Sequence, residues 1–213
     1  MTGPILDLIA SPTLADFYVS ALKDISSPES TDDSYTFPPT DSYFNYLRRY
    51  TNETEDELLF KPEVNPFVGF SSDHATFIYF LGLPVIDMWF KEDRKRYPNL
   101  TMYPAYHTGF DNFHLVDKLL DPEYRVFGAC AQLNLRLGLH LAESEKLPFK
   151  LENQAKVMKA GIEALKENGQ IDRLQELGVN IQHLKNSILA FRDAAAKFDQ
   201  RVAAADRNPQ GCD

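Results

Sequence analysis

Tyr103-Pro104-Ala105-Tyr106-His107-Thr108-Gly109-Phe110-Asp111-Asn112-Phe113-His114 packs a candidate metal ligand, a phenol and a carboxylate into one turn-forming segment. Pro104 and Gly109 mark a loop, and Asp111 or Asn112 is placed to cap an amphipathic helix over residues 113–120. His107 therefore falls in a loop just ahead of a helix. Loops carried on a rigid scaffold are where binding and catalytic side chains concentrate, and imidazole is the commonest metal ligand among side chains. A zinc site needs three or four ligands, so on spacing alone an ordinary hydrogen-bonded loop histidine is the simpler reading.

Working outward, Ser71-Ser72-Asp73 offers small residues and a capping carboxylate that open a helix over residues 74–81, closed by Gly82. Such a start presents unpaired backbone N–H groups to the polar end of a substrate, although a plain N-cap explains it equally. The run Pro84-Val85-Ile86-Asp87-Met88-Trp89-Phe90 reads as a largely buried strand. Asp87 is its anomaly: a carboxylate there must find a partner, face a cavity or sit at the strand's open end. Near the N-terminus Ile5-Leu6-Asp7-Leu8-Ile9 reads as a strand and Ser11-Pro12 as the start of a helix over residues 14–22, an order that suggests an α/β sheet. Residues 26–34 form a solvated loop, and Asp41-Ser42 caps a short helix reaching Tyr50.

Downstream, Asp121-Pro122 caps a long helix whose apolar residues on all sides predict deep burial, with Leu147-Pro148-Phe149 as its stop. From Glu152 the composition turns to Lys, Glu, Gln, Leu and Ala. A helix over residues 153–167, a break at Asn168-Gly169 and a last helix over residues 180–207 follow. Ile181, Leu184, Ile188, Phe191, Ala195 and Phe198 make a one-sided apolar stripe that must cover something. A domain boundary therefore falls within residues 150–156.

The whole chain has 213 residues, 44% hydrophobic and 25% charged, an ordinary globular composition long enough for a substantial core. Its 22 basic and 31 acidic residues leave a net charge of −9, which argues against nucleic acid as a partner. No apolar run approaches the roughly 20 residues of a membrane helix, and the N-terminus lacks a basic segment followed by an apolar signal core. The two cysteines, Cys130 and Cys212, are too few for a disulfide framework. Two glycosylation sequons, Asn52-Glu53-Thr54 and Asn99-Leu100-Thr101, weakly favour a secretory or extracellular location.

Tyr106-His107-Thr108 followed by Asp111, with Gly69-Phe70-Ser71-Ser72-Asp73-His74-Ala75-Thr76-Phe77 upstream, resembles the co-catalytic zinc exopeptidases related to glutamate carboxypeptidase II and the transferrin receptor. The likeness is greatest to the N-acetylated alpha-linked acidic dipeptidase-like members. It runs from about Ile5 to the neighbourhood of Asn208. It implies an α/β class chain, with residues 1–150 the C-terminal portion of a peptidase-like α/β domain and residues 151–213 the beginning of a helical dimerisation domain. It also implies that His107 ligates one of two zinc ions and that Tyr106 hydrogen-bonds the oxygen of the attacked carbonyl; Asp111 then either orients His107 or, more simply, caps the helix that follows. The family's other ligands and its glutamate general base are expected upstream of this sequence, so the chain is expected to be inactive alone.

In glutamate carboxypeptidase II the matching strand end carries arginines that bind acidic groups. Here Ser72, Asp87 and Trp89 stand at the substrate-binding places, which implies a preference for short peptides with neutral, hydrophobic or cationic side chains. A homodimer is expected of a full-length form, and a membrane anchor only through an N-terminus this sequence does not contain. The rival reading is a noncatalytic binding and dimerisation protein of the transferrin receptor kind.

Overall fold

The computed structural model describes residues 5–28, 41–52, 54, 72–93, 95–100 and 103–207. Residues 29–34 and 65–71, the sequon residues Glu53 and Thr101, and Cys212 lie outside the described residues. The chain divides into two compact units, one from Met1–Ala10 with Asp16–Pro148, the other from Ser11–Ala15 with Phe149–Asp213. What is described is mostly helical, with one small sheet.

In the first unit β1 (Ile5–Ala10) pairs antiparallel with β2 (Ile86–Lys91), Ile5 opposite Lys91 and Ala10 opposite Ile86. The pair is sealed by α2 (Tyr43–Thr51). Ser42 caps that helix through its hydroxyl, which accepts from the Asn45 N–H at 3.3 Å, as the Asp41-Ser42 signal predicts. Asn52 ends it in the left-handed region at φ 61°, a conformation asparagine tolerates better than most residues. Tyr43 is fully buried; its phenol oxygen accepts the Leu6 N–H of β1 at 2.7 Å, and its ring stands edge-on to Phe90 of β2 at 5.6 Å. One residue thus satisfies a strand donor and fills the core beneath it.

A 3₁₀ turn (Pro12–Leu14) leads into α1 (Ala15–Leu22), with proline at the first position where no intrahelical N–H is needed. Phe17, Tyr18, Val19 and Leu22 of α1 are buried. The long helix α5 (Arg125–Glu143) begins where Asp121 accepts from the Val126 and Phe127 N–H groups at 3.3 and 2.9 Å, so the predicted capping carboxylate is in place. Arg136 of α5 grips Asp24 through two guanidinium nitrogens, at 2.9 and 2.7 Å, and His140 meets the Phe17 ring edge-on at 5.2 Å.

Two burial expectations are corrected. α5 is not buried all round: Val126, Ala129, Leu133 and Leu137, spaced three and four apart, are buried, whereas Leu135 is 62% exposed and Phe127 and Leu139 also face solvent. A helix packed along one face has no use for its remaining leucines within that core. Nor is β2 largely buried. Phe90 is, but Ile86, Asp87 and Met88 are half-buried and Trp89 is 40% exposed, because the described sheet has only two strands and covers neither face of β2 completely.

The second unit is helical: α6 (Leu151–Glu167), α7 (Gln170–Glu176) and α8 (Ile181–Arg207). The break falls at Asn168-Gly169 as expected, with Gly169 at φ 66°. The short α7, anchored by buried Ile171, is an addition to the predicted order. Along α8 the buried apolar residues are Ile181, Ile188 and Ala195, a seven-residue interval against α6, while Leu184 and Phe198 of the predicted stripe remain half-exposed. α8 packs mainly on α6 and only slightly on α7, and such packing needs no more than that narrow seam. Farther along α8, buried Asp199 accepts from the Leu151 and Glu152 N–H groups at 3.2 and 3.0 Å, capping α6 from another helix. The Lys150 N–H donates to Thr13 O at 2.9 Å, which ties the 3₁₀ turn to the same helix start.

Two outcomes follow for stability. Asp199→Ala is expected to lower the unfolding free energy by about 1–2 kcal/mol, since a helix start loses its acceptor and its favourable dipole charge. Tyr43→Phe leaves the Leu6 N–H buried without that acceptor and is expected to cost about 1–3 kcal/mol. Urea titrations followed by circular dichroism measure both; an unchanged midpoint in either variant removes the corresponding claim.

Candidate functional site

The sequence-predicted site residues gather into two groups, one in a cleft and one on a loop. The cleft arises where α3 (His74–Leu81) turns back into β2. Gly82, at φ 65°, ends α3 with its N–H on Phe77 O, as the sequence predicts. Eight helical residues rise about 12 Å, and the four residues that follow span roughly 13 Å when extended, so the chain returns near the helix start. His74 and Asp87 therefore meet, although thirteen positions separate them.

His74 Nδ1 lies 2.7 Å from Asp87 Oδ2; the imidazole side chain is 7% exposed and the carboxylate 27%. The cleft has a volume of about 450 Å³, with Ser72, Asp73 and Asp87 at its polar side and Phe77, Pro84 and Ile86 among its apolar walls. Asp87 thus has both of the things its place in an apolar run demanded, a partner and a cavity. Asp73 does not do what the sequence suggested: its side chain makes no capping hydrogen bond, and the first turn closes through Ala75 N–H on Ser72 O at 3.0 Å. Its carboxylate is left at the cleft instead. Trp89 falls outside the residues that line the cleft, two positions beyond Asp87 and so on the same face of the strand.

The second group is the loop ahead of α4 (Phe113–Leu115), which runs on as a π turn (Val116–Leu120). Between the two candidates for its cap the structure selects Asn112, whose side-chain oxygen accepts the Leu115 N–H at 3.3 Å. Asp111 accepts instead from the Tyr103 hydroxyl at 2.6 Å, and no hydrogen bond joins it to His107. The expectation that Asp111 orients His107 directly is therefore corrected. Burial first, then the hydrogen bond to Asp111 and that carboxylate's charge, push the Tyr103 phenol up to about 12, so it stays protonated and donating throughout the neutral range.

Tyr106 is 44% exposed and His107 also faces solvent. Their rings stack with centroids 3.8 Å apart and planes 22° from parallel, and Tyr103 abuts Tyr106 edge-on at 5.7 Å. His107 adopts φ 58°, in the left-handed region that residues other than glycine avoid, although Gly109 stands two positions away. Among the described residues no group of three or more His, Cys, Asp or Glu side chains could hold a metal ion. One imidazole falls short of a zinc donor set, so the described residues do not by themselves make a metal centre.

Sequence reasoning singled out Asp87 and Asp111 but missed the partner of each, His74 and Tyr103. The available signals were a histidine one helix-and-return before the anomalous aspartate, and a tyrosine just ahead of Pro104.

No protein-family model matches the chain. It is 30% identical over 199 residues to aminopeptidase NAALADL1 of Rattus norvegicus, covering 93% of this chain and 25% of that protein. It is 33% identical over 113 residues to the probable glutamate carboxypeptidase LAMP1 of Arabidopsis thaliana, which is 53% of this chain and 14% of the relative. Over 151 residues it is 28% identical to the glutamate carboxypeptidase 2 homolog of Caenorhabditis briggsae, 69% of this chain and 18% of the relative. The chain spans about a quarter of the length of the curated aminopeptidases it matches. With the Tyr106-His107 loop and the Ser72-Asp73-His74 helix start both inside a similarity of this extent, the chain belongs to the glutamate carboxypeptidase II-like family.

Proposed function

We propose that this chain is part of a zinc-dependent exopeptidase acting on short peptides, and that the 213 residues by themselves do not cleave them. The observation that carries the reading is the exposed Tyr106-His107 pair. The two rings hold each other, yet neither the phenol hydroxyl nor the imidazole nitrogens hydrogen-bond another described residue, so both polar ends are uncommitted. Relatives named aminopeptidase and glutamate carboxypeptidase support the same class.

In this proposal Tyr106 would donate to the carbonyl oxygen under attack, where charge develops, and His107 would be one donor to a metal ion whose other ligands are not among the described residues. Bound zinc would supply Lewis acidity and a hydroxide at neutral pH. The chain's own part is to position. Ser72 and Asp87, with Trp89 farther along the strand, receive a substrate side chain; the carboxylates of Asp73 and Asp87 beside apolar walls favour neutral or cationic groups over acidic ones.

The wider proposal follows the resemblance. The first unit would be the later portion of a zinc-exopeptidase α/β domain, and the helices of the second the start of a dimerisation domain, with half-exposed Leu184 and Phe198 available to a homodimer in a longer form. Asn52 and Asn99, both exposed, suit a secretory or extracellular glycoprotein. No described helix is long and apolar enough to cross a membrane.

Zinc titration by calorimetry tests the first part. No tight site is expected, and a submicromolar one that disappears in His107→Ala would overturn inactivity of the chain alone. For the cleft, dipeptides beginning with lysine or glutamate are compared by NMR titration. Lysine is expected to bind better, with Asp87→Asn reducing its affinity by about threefold to tenfold, a range set by the modest energy of a partly exposed charge pair. Stronger binding of the acidic dipeptide would refute the cleft's assigned preference.

A further inference from the structure

The Tyr106-His107 pair poses a mechanical problem. Both residues are exposed, so core packing cannot hold them, and His107 sits at φ 58° in a backbone conformation that residues other than glycine seldom adopt. An exposed loop in that state keeps its shape only if something ties its ends.

We propose that Tyr103 and Asp111 form a clasp across the base of this loop and act as positioning residues for Tyr106 and His107. The two residues are the loop's entry and exit, eight positions apart, and their side chains meet at 2.6 Å. A hydroxyl donating to a carboxylate is among the stronger hydrogen bonds available to exposed side chains. Within the clasp the backbone closes in consecutive turns: Tyr106 N–H on Tyr103 O at 3.2 Å, Thr108 N–H on Ala105 O at 3.0 Å, and Asp111 N–H on Thr108 O at 3.1 Å. The Thr108 hydroxyl donates to Ala105 O at 2.7 Å and accepts the Phe110 N–H at 3.2 Å, which fixes the turn on the far side of His107.

The clasp also reaches the imidazole through rings. Tyr103 presents its edge to Tyr106, and Tyr106 lies flat on His107, so the hydroxyl bond that holds the first ring limits the tilt of the second and third. His107, not Gly109, is the left-handed residue of the loop, and its imidazole lies on the face of Tyr106. The high proton affinity of Tyr103 keeps the donor in place. This inference rests on reading Tyr106 and His107 as site residues, but the clasp is a statement about geometry and is testable without turnover.

The test is the His107 ring-proton resonance in NMR spectra of the 213-residue chain. A tyrosine face stacked on the imidazole shifts that resonance upfield, and Tyr106→Ala sets the unstacked reference. Tyr103→Phe, which keeps the ring and removes only the hydroxyl, and Asp111→Asn are each expected to lose most of the upfield displacement. The double variant is expected to lose no more than either single one, because one bond is being removed twice. Asp111 is exposed and Tyr103, half-buried, keeps its ring in the phenylalanine variant, so circular dichroism should remain that of the wild type. Retention of the displacement in either single variant, additive losses in the double one, or no difference between wild type and Tyr106→Ala overturns the clasp. A submicromolar zinc site lost in His107→Ala, or stronger binding of the acidic dipeptide, while the resonance behaves as described would instead count against the functional reading alone.

Discussion

The pairing of β1 with β2 is the constraint on which the first unit depends, because it joins backbone from opposite ends of a long intervening stretch, Ile5 against Lys91. Closing a loop of that length costs about 4 kcal/mol beyond the fixed cost of any closure. Two strands alone rarely repay this in water. Here the ladder is reinforced by Tyr43, whose phenol takes the Leu6 N–H of one strand while its ring packs on Phe90 of the other. The register set in this way determines which residues of β2 turn inward. Phe90 enters the core, and Asp87 is delivered to the place where α3 begins.

The two groups of site residues are held by opposite means. In the cleft, burial does the work: the imidazole of His74 is almost wholly enclosed and offers Asp87 a partner whose own position is set by packing. A carboxylate so held has a hydrogen-bonding partner at the mouth of an apolar hollow and escapes the full penalty of isolation. On the loop there is little burial to draw upon. Order there comes from hydrogen bonds between the loop's ends, from its consecutive turns and from three aromatic rings in series. That arrangement leaves polar atoms of Tyr106 and His107 exposed to whatever approaches, which buried side chains could not do.

Much of the local structure was legible in the chain because its causes are local. Ser42 announces a helix start by a side chain that reaches its own first turn, and Asp121 does the same a few residues ahead of α5. Gly82 and Gly169 announce helix ends by conformations that other residues resist. The errors arose where hydrophobicity was read as burial. The leucines along α5 and the apolar run of β2 fix the type of element, but how many of their faces are covered depends on neighbours that a single segment does not specify. Asp73 shows the same limit on a smaller scale: it has the chemistry of a cap and does not make one.

By itself, then, the sequence determined the place of both described strands and of every described helix but the short α7, that Asp87 required a partner, and that Tyr106 and His107 share a punctuated loop with the signature of one peptidase family. Only the tertiary structure decided the partners. It gave His74 to Asp87, Tyr103 to Asp111, and the start of α6 to Asp199 some forty-seven residues away. The physical reason is that caps, turns and periodicity act over a few bonds, whereas a carboxylate's partner is whichever donor the folded backbone carries within about 3 Å, and that separation is set by packing.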